Sequence, residues 1–268
     1  MLFRSKIAKS KEAKKFVDEN AGVENLASKF AKRLVEATYK VTGSEFYVLS
    51  LCGDHNNPRV VENGLLSQWR AYGSGCGFAI VLNAKELEEL AFHEFNEFDY
   101  VNAHMSDAIY GEEDEKYESE FLVIFEDFLV HADNILREAI YGEGDPTPEV
   151  KSAAFKAVHW CLTRFKHPGF SEENEVRIVV APAVVSPEDI DQHNAQGLTV
   201  RPKKEIKFRP ANGRPIPYIP LFGSPNKKLP IEKIIVGPGQ DKNLTAEVIR
   251  KIVSNSNIEV TISDIPFV

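Results

Sequence analysis

Cysteine is scarce in this sequence, and its few copies form no recognisable framework. Cys52, Cys76 and Cys161 are widely spaced and odd in number, and none of them belongs to a Cys-x-x-Cys pair. A disulfide-stapled scaffold would need paired cysteines at close spacing. The cysteine usage therefore favours a reducing compartment.

Long apolar runs are also missing. No run approaches the roughly 18 to 20 residues that a helix needs to cross a bilayer. The first four residues, Met-Leu-Phe-Arg, lead into lysines instead of the apolar region of a signal peptide. We therefore expect a cytoplasmic protein that makes no membrane contact.

An excess of positive charge is absent from the chain as a whole. The net charge is −8, so the bulk composition does not indicate a surface built for a phosphate backbone. The charge is uneven, because residues 86–127 are strongly acidic and the start is basic: Lys6, Lys9, Lys11, Lys14, Lys15, Lys29, Lys32 and Arg33. The predicted N-terminal helices could dock a partner through that basic face.

Apolar residues make up 43% of the 268 positions, enough to bury a sizeable core. Hydrophobic spacing predicts helices over 11–19, 20–43, 64–72, 84–92, 113–141, 147–166 and 244–254. Thr147 suits the N-cap of one of them because Pro148 follows it. Runs rich in β-formers predict strands over 46–52, 76–82, 97–101, 175–180, 205–208, 216–221, 231–236 and 258–262.

These elements predict an α/β protein of the α+β type. We expect one mixed, mostly antiparallel central sheet, an N-terminal helical segment over residues 1–44, and a single α+β domain over residues 45–268. The two long helical patterns within 113–166 predict a helical hairpin inserted into that domain.

The most informative polar motif is Glu173-Asn174-Glu175-Val176-Arg177. Residues two apart on a strand face the same way, so a strand beginning by Glu173 would present Glu173, Glu175 and Arg177 along one face. Two nearby carboxylates raise at least one pKa, and an adjacent arginine opposes that rise. The motif fits either an ionised glutamate that orients a sugar hydroxyl or a solvated strand with a salt bridge.

A second motif places Trp69, Arg70 and Tyr72 on a predicted short helix before Gly73. Trp69 and Tyr72 are three residues apart and share a helix face. The two rings suit either the edge of a packed core or a stacking platform for a ligand ring.

Other catalytic patterns are weak. Asp54 and His55 are adjacent, but no second His or Cys lies nearby at metal-ligand spacing, so no metal site is predicted. Ser50 lacks the Gly-x-Ser-x-Gly elbow of a hydrolase. The glycines around Pro238 lack the spacing of a phosphate-binding loop.

The order of several motifs resembles the bacterial family called domain of unknown function 2971. The landmarks are a strand ending near Ser50, then the segments 66–73, 77–80, 165–177, 229–238 and 262–267. The likeness covers about residues 45–268. Such proteins usually begin with a Tyr-Lys-Tyr-like strand and an Asn-Asp-Pro turn, which this chain lacks, so residues 1–44 look like a helical replacement or a truncated start.

The order of a serine strand and a Glu-x-Glu strand is also similar to ADP-ribosyltransferases, with NAD as the implied substrate. That resemblance implies that Glu175 is the catalytic glutamate at the nicotinamide ribose and that Glu173 acts on the acceptor side. Ser50 would be the serine-strand residue, and Trp69 or Tyr72 a ring-stacking wall. The basic strand of that family is missing here, so Arg70 or Arg177 would have to replace it.

Three functional hypotheses follow from the sequence. The first is an NAD-consuming, ADP-ribosyltransferase-like enzyme that modifies a protein or nucleic-acid acceptor, as an effector in bacterial antiviral defence or a toxin system. The second is a non-catalytic sensor or protein-interaction module. The third is a metal-dependent nuclease that uses Asp54, Glu173 and Glu175 around a divalent ion.

Overall fold

The computed structural model of the chain describes residues 7–19, 26–42, 45–53, 56–73, 77–141, 147–182, 201–211, 213–223 and 228–266. Its helices are α1 (Lys11–Glu19), α2 (Leu26–Thr42), α3 (Pro58–Asn63), α4 (Leu66–Tyr72), α5 (Ala84–Glu97), α6 (Val123–Val130), α7 (Ala132–Tyr141), α8 (Pro148–Lys156) and α9 (Lys242–Ile252). Its strands are β1 (Tyr47–Cys52), β2 (Phe78–Leu82), β3 (Tyr100–Asp107), β4 (Glu175–Pro182), β5 (Lys207–Ala211), β6 (Arg214–Tyr218), β7 (Ile231–Val236) and β8 (Glu259–Ile262).

The predicted α+β class is confirmed, because helices accompany strands that pair mostly in antiparallel fashion. The sheets differ from the single central sheet that we expected. The described strands form three sheets, with the orders β1-β4-β3, β2-β7-β8 and β5-β6. Alternating sequence patterns identify a strand but not its pairing partner, which is why the division was missed.

The chain folds into two compact units, each built from two separate stretches. The first unit contains residues 1–51 and 99–203, and the second contains residues 52–98 and 204–268. The boundary near residue 44 that the sequence suggested stays a prediction. Within the first unit, α2 packs against α7 and α8.

A helical layer supplies the main apolar core of the first unit. On α2, the predicted helical spacing buries Phe30, Leu34 and Ala37 on one side. Residues from the region of the predicted helical hairpin complete this core, including Phe121, Phe128, Ile135, Ala154 and Cys161.

The long helical patterns of residues 113–166 are divided in the structure. A π-helical segment, Tyr117–Leu122, precedes α6, and α6 ends at Val130 with His131 as its C-cap before α7 begins. A second π-helical segment, Ala157–Leu162, continues α8. The predicted start of α8 is confirmed, because the Thr147 hydroxyl accepts the Val150 N–H and Pro148 lies in the first turn.

Strand β4 is the central strand of its sheet and is buried along most of its length. Ile178, Val179, Val180 and Ala181 are at most 1% exposed. Its antiparallel pairing with β3 places Val179 opposite His104 and Arg177 opposite Ser106. The polar residues that begin β4 therefore lie at the end of a rigid, buried element.

The second unit contains a smaller core around β7. This strand pairs antiparallel with β2 and parallel with β8, and α9 connects β7 to β8. Ile234, Val236, Ala246 and Ile249 are the buried residues of the cluster between α9 and the sheet.

One predicted strand is replaced by the end of a helix. The strand expected over 97–101 was misplaced, because α5 extends to Glu97 and β3 begins only at Tyr100. The final turn of α5 buries Glu94, whose carboxylate Oε1 lies 2.7 Å from Lys204 Nζ. A partner so distant in sequence cannot be read from local spacing.

Trp69, in the second unit, packs closely against the backbone of two glycines. Its indole N–H donates to the Asn63 carbonyl at 2.8 Å. A Cβ atom at Gly64 would lie 2.9 Å from the ring, and one at Gly237 would lie 2.7 Å from it. The indole is therefore fixed by close backbone contacts.

None of the described helices combines the length with the apolar character that crossing a bilayer requires.

The packing of Trp69 can be tested with two glycines that have the same positive φ. Gly64 and Gly213 both have a φ of 72°, but a Cβ atom at Gly213 would meet nothing within 4 Å. Both Gly64→Ala and Gly213→Ala carry the strain of a positive φ. We expect Gly64→Ala to lower the free energy of unfolding by about 1–3 kcal/mol more, since it also overpacks the indole. Denaturant unfolding of both variants measures the difference, and equal losses would contradict the packing argument.

Candidate functional site

The polar cluster at the start of β4 is shaped by a short helix that precedes the strand. Residues Pro168–Glu173 form a 3₁₀-helix, and the His167 Nδ1 atom accepts the Gly169 N–H at 3.0 Å. Asn174 then adopts a left-handed conformation with a φ of 42°. Strand β4 begins at Glu175, as predicted for the strand over 175–180, so the condition under which Glu173 would share a strand face with Glu175 and Arg177 is not met.

Lys166 nevertheless brings the two glutamates together. Its Nζ atom lies 2.5 Å from Glu173 Oε2 and 3.1 Å from Glu175 Oε2. The three side chains are at most 17% exposed. A cation supplied from outside the motif, and not the strand alternation, therefore joins the carboxylates.

Arg177 holds Glu175 from within β4. Its Nε and Nη2 atoms donate to Glu175 Oε2 at 2.9 and 2.6 Å, as expected for residues two apart on one strand face. Its Nη1 atom donates to the Thr163 carbonyl. The guanidinium therefore ties the start of β4 to the chain just after the second π-helical segment.

Two further groups approach Glu175. The Ser50 side chain, on the neighbouring strand β1, lies beside the Glu175 carboxylate and contributes to lowering its pKa. The Tyr110 hydroxyl accepts the Glu175 backbone N–H at 2.6 Å. Ser50 is exposed whereas Glu175 is 8% exposed, so the serine marks the side of the cluster that solvent can reach.

The cations around Glu175 keep its carboxylate ionised. Burial alone raises the pKa of Glu175, but hydrogen bonds from Lys166 and Arg177 outweigh burial and lower the pKa overall. Burial likewise lowers the pKa of Lys166, and its contacts with Glu173 and Glu175 more than reverse that effect. Both partners of the pair are charged at neutral pH.

A second buried polar group adjoins this cluster in the first unit. His104 Nδ1 and His159 Nε2 are 2.6 Å apart, and the His104 ring stacks on Trp160 at 4.6 Å. The Arg164 guanidinium lies 5.4 Å from the Trp160 ring centroid and donates from Nη2 to Glu120 at 2.6 Å. His104 lies two residues before Ser106 on β3, and Ser106 is opposite Arg177, so His104, Arg177 and Glu175 share one face of the sheet.

Burial disfavours charge on the histidine pair. It is the main cause that lowers the pKa of His104 to about 4 and that of His159 to about 3. The nearby positive charge of Arg164 lowers both values further. The two imidazoles are therefore neutral at physiological pH, and one donates the shared proton to the other.

The residues predicted for the site are divided between the two units. Ser50, Glu173, Glu175 and Arg177 meet in the first unit. The motif containing Trp69, Arg70 and Tyr72 belongs to the second unit. There Tyr72 is 73% exposed and Arg70 is exposed, whereas Trp69 is partly buried.

Three residues of the cluster were missed by the sequence analysis. Lys166, Tyr110 and Thr163 all contact Glu175 or Arg177. Only Lys166 carried a usable signal, since it lies seven residues before Glu173 within a single motif. Tyr110 comes from a distant stretch, and Thr163 acts through its backbone carbonyl, which no side-chain pattern reveals.

The described residues contain no group of three or more His, Cys, Asp or Glu side chains arranged to hold a metal ion. Asp54, the third carboxylate of the nuclease hypothesis, lies outside the described residues.

Comparison with known families supports the resemblance seen in the motifs. A family model described as "Protein of unknown function (DUF2971)" matches residues 68–178, which is less than half of the chain. The matched range includes the motif of Trp69 and the whole stretch from Lys166 to Arg177, so the resemblance predicted from the sequence is confirmed there. No curated protein and no solved structure matched the chain.

Removing the charge of Lys166 should destabilise the first unit. Lys166→Met keeps an apolar stem but leaves Glu173 and Glu175 without their shared cation. We expect the free energy of unfolding to fall by about 1–3 kcal/mol more than in the exposed control Lys156→Met. Adding Glu173→Gln to Lys166→Met should restore part of the loss, because it removes one uncompensated carboxylate. Chemical denaturation measures all three variants, and equal losses in Lys166→Met and Lys156→Met would contradict this role.

The histidine pair predicts a pH dependence with a defined sign. The unfolded histidines bind protons below a pKa near 6.5, whereas the folded ones do so only near 4 and 3. The unfolded state therefore binds more protons in this window, and the free energy of unfolding should fall as the pH drops from about 6.5 to 4.5. Unfolding at several pH values measures the slope, which should flatten in a His104→Gln/His159→Gln variant. An unchanged slope in that variant would refute the assignment.

Proposed function

We propose that this chain is an NAD-consuming enzyme of the ADP-ribosyltransferase-like type, with Glu175 as its catalytic carboxylate. One observation carries the proposal: the exposed Ser50 side chain on β1 lies beside the ionised Glu175 carboxylate at the start of β4 and helps to lower its pKa. The pairing of a serine strand with a glutamate strand is the arrangement that the motif order led us to expect.

The chemistry needs a carboxylate that stays ionised beside a sugar. When the bond between nicotinamide and ribose breaks, its electron pair leaves with nicotinamide, and the ribose develops positive charge. Glu175 would hydrogen-bond the ribose hydroxyl and stabilise that charge, which water or an acceptor nucleophile then removes by attacking the ribose carbon. Lys166 and Arg177 support this role because they hold the Glu175 carboxylate ionised and fixed in place.

The remaining predicted residues have subordinate roles in the proposal. Glu173 would act on the acceptor side, where Lys166 keeps it close to Glu175. Arg177 is a positioning residue, since its donors go to Glu175 and Thr163.

A second function is favoured by a different feature of the same cluster. Two carboxylates and two cations neutralise one another, and the contacts of Lys166 and Arg177 with Glu175 all end on the single atom Oε2. Such a closed network can hold the first unit together without any catalytic role. The chain would then be a non-catalytic sensor or interaction module.

The two functions can be separated with purified protein and NAD. We expect wild type to release nicotinamide, measured by chromatography with and without a cellular extract as acceptor source. Glu175→Gln should slow the release by about 10²–10³-fold, the usual effect of losing one group that stabilises a transition state. Glu115→Gln, at an exposed glutamate of the first unit, is the matched control and should have no effect.

Ser50→Ala distinguishes catalysis from folding. The substitution leaves the ion pairs of Glu175 intact, so the melting temperature should barely change while nicotinamide release falls by about tenfold, as expected for the loss of one polar contact with a charged group. If wild type releases no nicotinamide under any condition, and Glu175→Gln alters stability alone, the interaction module is the better assignment.

A further inference from the structure

The hairpin of β5 and β6, here called the basic ribbon (residues 207–218), forms a sheet of its own. Its antiparallel register pairs Lys207 with Tyr218, Arg209 with Ile216 and Ala211 with Arg214. Gly213, with a φ of 72°, lies in the turn between the strands. Four of the five residues in each strand are exposed. A two-stranded sheet this open buries little apolar surface, so its side chains are available for contacts with a partner.

Side chains on the ribbon are segregated by face. Directly opposed residues share a face, and residues two apart on one strand also share it. One face therefore carries Lys207, Arg209 and Arg214, together with Ile216 and Tyr218. The other face carries Phe208, Pro210, Pro215 and Pro217.

The three cations of the ribbon are uncompensated. Within the described part of the chain, Lys207, Arg209 and Arg214 make no ion pair and no side-chain hydrogen bond, and all three are exposed. Lys204, just before the ribbon, is by contrast paired with the buried Glu94. A chain of net charge −8 thus presents a local group of exposed positive charges on the ribbon.

The prolines restrict how the ribbon can bind. Proline has no backbone N–H, so Pro210, Pro215 and Pro217 weaken the ability of either ribbon strand to pair with an added strand. Recognition must then come from the side chains of a face and not from edge pairing. The face that carries the cations selects a polyanion.

We propose that the basic ribbon contacts the phosphate backbone of double-stranded DNA. The major groove of B-DNA, about 12 Å wide, accepts a two-stranded β-ribbon, whereas the deep, narrow major groove of duplex RNA does not. Lys207 and Arg209 are about 7 Å apart along β5, and Arg214 lies diagonally across from Arg209 at a similar distance. The three cations are therefore close enough to reach consecutive phosphates.

Single strands and acidic proteins fit this face less well. Binding to single strands relies on several exposed rings on which bases stack, and the basic face has only the half-buried ring of Tyr218. Acidic protein partners usually bring apolar anchors, and the basic face offers mainly charged side chains with Ile216 beside them. The DNA contact of the basic ribbon is independent of the proposed NAD chemistry.

The test is fluorescence anisotropy of the full chain with a labelled 30-base-pair DNA duplex at several salt concentrations. Three phosphate contacts predict that affinity falls by about 40-fold between 50 and 200 mM salt. The variant Lys207→Gln/Arg209→Gln/Arg214→Gln should bind the duplex far more weakly than wild type. The slope of log affinity against log salt concentration should fall in magnitude by about 3. Because all three sites are exposed, the variant should keep the melting temperature of wild type.

The matched control removes three exposed lysines elsewhere in the second unit, with Lys85→Gln, Lys228→Gln and Lys251→Gln. It changes the net charge equally and should bind the duplex as wild type does. Equal loss in both variants would overturn the proposal, since it would show only a bulk charge effect. Absence of duplex binding at 50 mM salt would also overturn it, as would tighter binding to single-stranded DNA, duplex RNA or polyglutamate than to the duplex.

Discussion

The candidate site depends on the contacts that the ammonium group of Lys166 makes with two carboxylates. This group lies within 3.1 Å of carboxylate oxygens from both Glu173 and Glu175, one on a 3₁₀-helix and one on a strand. Without a cation between them, two carboxylates held so close together and away from water would repel each other. Lys166 thus allows two chain segments of different geometry to end at one point, and it helps to keep the Glu175 carboxylate ionised.

The same physical requirement extends along the sheet face. A charged or polar side chain that leaves water needs a hydrogen-bond or ion-pair partner, and here several such side chains are linked to one another through their partners. Arg177 binds Glu175 and the Thr163 carbonyl. Arg164 binds Glu120 and the Asp107 carbonyl, and His104 and His159 are joined by a hydrogen bond. This layer connects β3 and β4 to the second π-helical segment through polar contacts. These contacts favour one register of β3 against β4, and they make the stability of the first unit sensitive to acid.

Local signals predicted the elements better than their association. The spacing of Phe30, Leu34 and Ala37 placed a helix, and Thr147 with Pro148 fixed the start of another, because capping and amphipathic burial act within a few residues. The Glu175–Arg177 contact followed from the two-residue alternation of a strand. Glu173 lies outside the strand, since the left-handed Asn174 and the 3₁₀-helix before it break the alternation that a strand beginning at Glu173 would need.

The sequence by itself determined the α+β class, the motif that contains Glu175 and Arg177, and the resemblance of residues 68–178 to a family of unknown function. Tertiary structure decided which strands share a sheet, that Lys166 and Tyr110 join the cluster, and that Trp69 is held between glycines of the second unit. The reason is physical. Periodicity and capping are encoded by neighbours along the chain, whereas ion pairs and strand pairing depend on groups that only folding brings within a few ångströms.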